Sequence, residues 1–361
     1  MAITHTQEVS FIQALSTLTL APERAEQFYP QLRQLSDADF SELVSLADSN
    51  HVVLRALLPL RTMAERFDDA VTAARCHSCI EQERQRVTNA LQHLSLITEA
   101  LEEAHCPTTV MKSLDHWPDL GNDLDLYTTA PAERVCQVMT SRFRAHIETR
   151  SWGDRLANKW NFAIAGLPEA VEVHAQRLGQ TGEHIAMAER FVSRRVTKSV
   201  LGMDFLVPAP EERIIVATLQ RMYRHFYFRV CDMVNIAALV ESGVVNFDEL
   251  HRSATMGGIW KGVCSLLRIV SDYVMQYRGT PVALPREVLD GALFGGEKVY
   301  VNAKFIRVPI MPQGTQLYAA QVTTAALRGD VAGTLRLSLL PYLASAAAIS
   351  YKLTGSDKGI W

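Results

Sequence analysis

In Gly121-Asn-Asp-Leu-Asp-Leu-Tyr127 two aspartates, Asp123 and Asp125, stand two residues apart, with leucines between and after them. On a strand, a period of two sends both carboxylates to one face and both leucines into the core. Two ionised carboxylates this close repel unless a cation lies between them, and their hard oxygen ligands suit a divalent ion such as Mg²⁺ or Mn²⁺. A third acid of the same kind, Glu172, alternates with valines in Val-Glu-Val-His, residues 171 to 174. Upstream, Lys112-Ser113 closes the short run Thr108-Thr-Val-Met. Three carboxylates on short strands, with a serine at a turn ahead of them, are the parts of a two-metal phosphoryl-transfer site. An apolar-flanked D-x-D arises by chance in roughly a quarter of chains this long, so the combination carries the reading.

The elements around these residues follow from periodicity. Residues 7 to 105 read as helices, with a capping serine at Ser36 and apolar residues three and four apart from Asp68 to His105, closed by Pro107. The centre alternates: strand Thr109 to Met111, strand Leu124 to Tyr127, helix Ala132 to His146 opened by Pro131, strand Asn161 to Ala165 and strand Ala170 to Ala175. A hairpin at Gly166 to Glu169, paired antiparallel, is expected to return Glu172 to the D-x-D strand. His174 shares the face of Glu172, although a lone strand histidine is more often packed than a ligand.

From Glu183 the pattern turns helical and basic, with Arg190, Arg194, Arg195 and Lys198 reading either as a cradle for a triphosphate or RNA backbone or as a solvated helix end. A helix starting at Pro208 carries Arg221-Met-Tyr-Arg-His-Phe-Tyr-Phe-Arg-Val230, placing Arg221, Arg224 and His225 on one side and Arg229 a turn beyond. These basic residues face either a nucleotide or solvent, with Arg229 free to pair with Asp232. The remainder is mostly helical, with an irregular, β-containing insert near residues 281–315; Gly295-Gly296 in it lacks any phosphate-loop pattern.

Composition excludes several classes. The 361 residues are 48% hydrophobic and 21% charged, with a net charge of −3, so the chain folds around a core and has no global attraction for DNA or an anionic membrane. The first eight residues lack the basic and apolar regions of a secretion signal, which predicts a cytoplasmic protein. The most apolar segment, Leu337 to Ile349, contains Pro341 and is too short to span a bilayer, so it reads as a buried helix. Of six cysteines only Cys76 and Cys79 have a metal-like spacing, and without further ligands nearby they read as small residues on one helical face.

The serine turn, the D-x-D strand and the later acid resemble the nucleotidyltransferase superfamily to which DNA polymerase β belongs. Residues from about 85 to 240 resemble more narrowly a bacterial group of nucleotidyltransferase family proteins. That likeness runs through helix Asn89 to Leu101, the Thr108 to Ser113 strand and turn, the D-x-D and Val-Glu-Val-His strands, and the helix with His225, Arg229 and Asp232. At the turn the group has Lys-Gly and polymerase-like members Gly-Ser, whereas this chain has Lys112-Ser113; Lys112 then supplies charge in place of close backbone approach.

The resemblance implies an α+β fold, a small mixed sheet of the minimal nucleotidyltransferase type embedded in a largely helical protein. Its regions are 1–105 helical, 106–207 core and 208–361 helical. It implies Asp123, Asp125 and Glu172 as catalytic metal ligands, and Lys112, Ser113, Asn122, Arg195, His225 and Arg229 as nucleotide contacts. The expected chemistry is transfer of a nucleoside monophosphate from ATP or another NTP to a hydroxyl of a small molecule or RNA, with Mg²⁺ or Mn²⁺. Phosphorylation from the same site, or a non-catalytic binding protein with a degenerate core, are the alternatives.

Overall fold

A computed structural model describes residues 5–179, 181–309 and 313–354. The readings of the N-terminus, the insert and the C-terminal region extend over residues 1–4, 310–312 and 355–361, which lie outside the described residues. Helices occupy both ends of the described residues. Between them lies a five-stranded mixed sheet of β1 (Thr108–Val110), β2 (Asp123–Thr128), β3 (His146–Ile147), β4 (Lys159–Ile164) and β5 (Leu167–Ala175), in the spatial order β1-β2-β5-β4-β3. The architecture is α+β. No helix among the described residues is long and apolar enough to cross a membrane.

The expected hairpin exists but pairs differently. β4 and β5 turn about Ala165-Gly166, with Gly166 at φ +85°, and pair antiparallel with each other. β5 then lies beside β2 in parallel, with Asp125 opposite Glu172 and Tyr127 opposite His174. A short turn cannot join a parallel pair; here the connection runs through helix Ala132–Phe143, β3, helix Trp152–Ala157 and β4. Leu124, Leu126, Val171, Val173 and Phe162 are buried against Val87, Leu91, Leu94, Ile97 and Leu101 of the long helix Ala70–Glu103. Each fully buried aliphatic side chain contributes about 1.5–3 kcal/mol, and a one-residue slip would turn all of those on a strand outward. The apolar face therefore fixes the register that aligns the acids. The other half of the long helix, with Cys76 and Ile80, joins a second core shared by helices from before and after the sheet.

Three expectations about the later chain are corrected. The basic stretch after Glu183 forms only two one-turn helices, Ile185–Ala188 and Arg190–Ser193, followed by the hairpin β6 (Val196–Val200) and β7 (Met203–Val207). Its turn residues Leu201 and Gly202 both have positive φ, as a type I′ turn requires, and the alternating, β-branched Val-Thr-Lys-Ser-Val outweighs the charge run. The helix from Pro210 stops at Gln220 and passes through a π-helical segment, Arg221–His225, to Phe226 at φ +55°; a new helix begins at Val230. Phe228 instead bridges Ile306, next to β8 (Tyr300–Asn302) and within β9 (Phe305–Arg307). Finally, the apolar helix Val331–Thr354 is not a buried helix: Leu337 is 3% exposed, whereas Leu339 is 42%, Tyr342 75% and Ile349 59% exposed.

Candidate metal centre

The turn between β1 and β2 is bent at Lys112, whose φ of +40° is unusual for a residue with a side chain. The bend starts a 3₁₀ turn, Ser113–His116, and aims the Lys112 ammonium across to β2, where Nζ meets Asp125 Oδ1 at 2.7 Å. Ser113 is buried with its hydroxyl engaged at both ends: Oγ accepts the Asp125 N–H at 2.8 Å and donates to the Asp123 carbonyl at 3.2 Å. Its observed role is to lock the start of β2. Ser113→Ala should thus destabilise the fold by about 1–3 kcal/mol, the cost of a buried N–H left unpaired. Chemical denaturation would read this, and an unchanged midpoint would mean that water replaces the hydroxyl.

Across the parallel register, Asp125, Glu172 and His174 each place a ligand atom within 4.8 Å of the others, a group that could hold a metal ion. Asp123 points to the same face but sits exposed at the rim, two residues along β2 from Asp125 and on the side away from His174. The compact group therefore contains His174 where Asp123 was expected. Glu172 Oε1 accepts a hydrogen bond from His174 Nε2 at 2.7 Å, and Oε2 one from Lys159 Nζ at 3.0 Å. Lys159 is tied also to Asp154 at 2.8 Å, within the capping box that opens helix Trp152–Ala157.

Charge accounts for the protonation pattern. Burial, reinforced by Glu172 and Asp123 and opposed by Lys112, pushes Asp125 up to about 7. Burial alone would raise Glu172 too, but the His174 hydrogen bond and charge, with Lys159 and Lys112, hold it well below the usual carboxylate range. Burial lowers His174 against the pull of Glu172. Asp123 reaches solvent, yet the surrounding protein and then the Glu172 charge raise it. With Nε2–H donated to Glu172, His174 Nδ1 remains buried with no hydrogen-bond partner. Two carboxylates and an imidazole with a free nitrogen form a donor set that suits a cation.

The other predicted residues divide. Asn122 lies exposed beside Asp123. His225 ends the π segment near the centre, its pKa lowered to about 2 by burial and then by Arg224, Arg221, Lys112 and Arg229. The Arg229 backbone N–H, not its guanidinium, bonds Asp232 at 2.7 Å, while Arg221 is the ion-pair partner of Asp232. Arg229 Nε is buried without a partner, and its guanidinium rests 5.7 Å from the Phe305 ring centre.

Arg195 is not brought to the centre. It bonds Glu102 and the Thr108 carbonyl, at the end of β1 opposite Thr128 and so about 10 Å along β2 from Asp125. Arg190 and Arg194 are likewise engaged, by Glu211, Glu212 and Glu249. These carboxylates, distant in sequence, turn the basic run into an internal ion-pair network instead of an open cradle.

Lys159 is not among the predicted residues; the hairpin register sets it opposite His174, on the face that Glu172 shares. Arg224 was seen only as one side of a helix; it lines the cavities on both sides of His174. No family model matches the chain, and no curated protein is similar to it.

Proposed function

We propose that this is a metal-dependent nucleotidyltransferase of the DNA polymerase β-like type, transferring a nucleoside monophosphate from an NTP to an acceptor hydroxyl with release of pyrophosphate. The observation that carries the reading is the parallel alignment of Asp125 with Glu172, with Asp123 and His174 on the same face. Asp123, Asp125 and Glu172 would hold Mg²⁺ or Mn²⁺, with His174 alongside, and the ion when bound supplies Lewis-acid stabilisation of the transferring phosphoryl group. Lys112 and Arg229 supply positive charge for the triphosphate. The acceptor oxygen bonds the α-phosphorus as the bond to pyrophosphate breaks. His174, oriented by Glu172, offers Nδ1 for the acceptor proton.

The test is incubation of the full chain with Mg²⁺ or Mn²⁺, each NTP and a panel of small-molecule and RNA acceptors, read by intact mass. Pyrophosphate with a nucleotide adduct is the expected result. Release of NDP would replace this reading with phosphorylation.

The pairing of Lys112 with Asp125 and of Lys159 with Glu172 favours a second reading, a non-catalytic core in which lysines stand in for the metal. Lys112→Met separates the two. On the first reading Lys112 competes for Asp125, so its loss should tighten Mn²⁺ binding to the nucleotide-free protein about 5- to 30-fold, the equivalent of one or two kcal/mol, while weakening NTP binding. Electron paramagnetic resonance titration of Mn²⁺ measures the first effect and calorimetry the second. Absence of Mn²⁺ binding in both proteins would establish the second reading.

A further inference from the structure

Beside the acid group, Met111, Leu178, Val216, Leu219, Tyr223 and Leu340 wall a cleft that encloses about 70 Å³ and opens to solvent. Lys112 and His174 line the cleft and connect it to the acid group, Lys112 through Asp125 and His174 through Glu172. Arg224 and Glu183 also line the cleft; Glu183 accepts from the Thr181 N–H and hydroxyl, whereas among the described residues the Arg224 guanidinium has no ion-pair or hydrogen-bond partner. We propose that this cleft is the acceptor site. On this proposal, which rests on the nucleotidyltransferase reading, the acceptor is a small, mainly apolar molecule with one anionic group for Arg224 and a hydroxyl directed at the acid group.

A polynucleotide fits poorly here. Single strands are held along basic grooves lined with stacking aromatics, whereas this cleft sets the Tyr223 ring among Met, Leu and Val side chains and carries the carboxylate Glu183. The arginines that would follow a backbone, Arg190, Arg194 and Arg195, are engaged by glutamates. The helices Gln313–Leu327 and Val331–Thr354 also reach the cleft, through Gln321 and Leu340, and limit its length.

The probe is 8-anilinonaphthalene-1-sulfonate, an apolar ring system with one anionic group, titrated into the full chain by fluorescence. The expected result is a saturable site weakened at least about tenfold by Leu219→Trp, which fills the cleft, and by Arg224→Gln, which removes a charge-assisted hydrogen bond. Small aromatic carboxylates should displace the probe and a short single-stranded RNA should not. Wild-type affinity in both variants, or displacement by RNA alone, overturns the proposal. Should Leu219→Trp fail to fold by circular dichroism, Arg224→Gln decides, because its side chain is already partly exposed. Mn²⁺ titration of the same samples separates the two layers. Mn²⁺ bound at Asp125 with no probe in the cleft defeats the acceptor assignment alone, whereas no Mn²⁺ binding defeats the nucleotidyltransferase reading on which it rests.

Discussion

Asp125→Asn should abolish metal-dependent nucleotide turnover while leaving the chain folded. Asp125 is the centre of the acid group, aligned with Glu172, paired with Lys112 and anchored through its own N–H by Ser113. An amide keeps the shape and an oxygen able to accept from Lys112, but it removes the negative charge that a divalent ion needs. Turnover should fall by at least the roughly 10²-fold associated with loss of an essential acid–base or ligand function. Stability should change little, because the native environment already raises Asp125 to about 7 and so tolerates a neutral group there. Turnover and Mn²⁺ titration beside thermal denaturation provide the check. Wild-type turnover in the variant would remove Asp125 from the metal site and the proposed function with it.

The second large effect is acid lability beginning near neutrality. His51, His116, His174, His184 and His225 are all held below the ordinary histidine value, burial being the largest cause in each; His51 is brought down to about 2, helped by Arg229, Arg221, Arg86 and Arg55. A histidine depressed in the native state is protonated in the unfolded chain first. The stability it contributes is complete above pH 6.5 and is lost as pH falls below that value. For His51 the loss by pH 5 amounts to about 2 kcal/mol, from 1.36 kcal/mol per unit. Glu172, also depressed, adds to the same trend at lower pH. Asp125 opposes it, because between 3.8 and about 7 the native state holds a proton that the unfolded chain has released.

Five histidines outnumber the raised carboxylates Asp119, Asp123, Asp125 and Glu212, and the balance is a loss of stability on acidification through the histidine range. Urea midpoints should hold from pH 8 to 7 and drop steeply below 6.5, with a shallower drop in His51→Gln. A flat profile to pH 5 would show that these side chains are protonated without unfolding and that water reaches them.

Local pattern determined a good deal of this protein. The alternation Asp-Leu-Asp-Leu and Val-Glu-Val-His set which side chains share a face, because strand geometry alone imposes a period of two. The helices before the sheet and the closing Pro107 followed from apolar spacing and from proline's missing N–H. A chain of these signals was enough to nominate Asp123, Asp125 and Glu172.

Only the tertiary structure decided how those faces meet. Strand order is a long-range choice made by the shared core under β2 and β5, and it put His174 within reach of Asp125 while leaving Asp123 at the rim. Whether a cation is free depends on carboxylates far along the chain. Glu102, Glu211, Glu212 and Glu249 engage the basic run, whereas Arg224 is left facing the cleft. The break at Phe226 likewise reflects packing of Phe228 on Ile306, almost eighty residues later, which no helical periodicity encodes. Side-chain periodicity is a property of neighbours in sequence; charge pairing and strand order are set by neighbours in space.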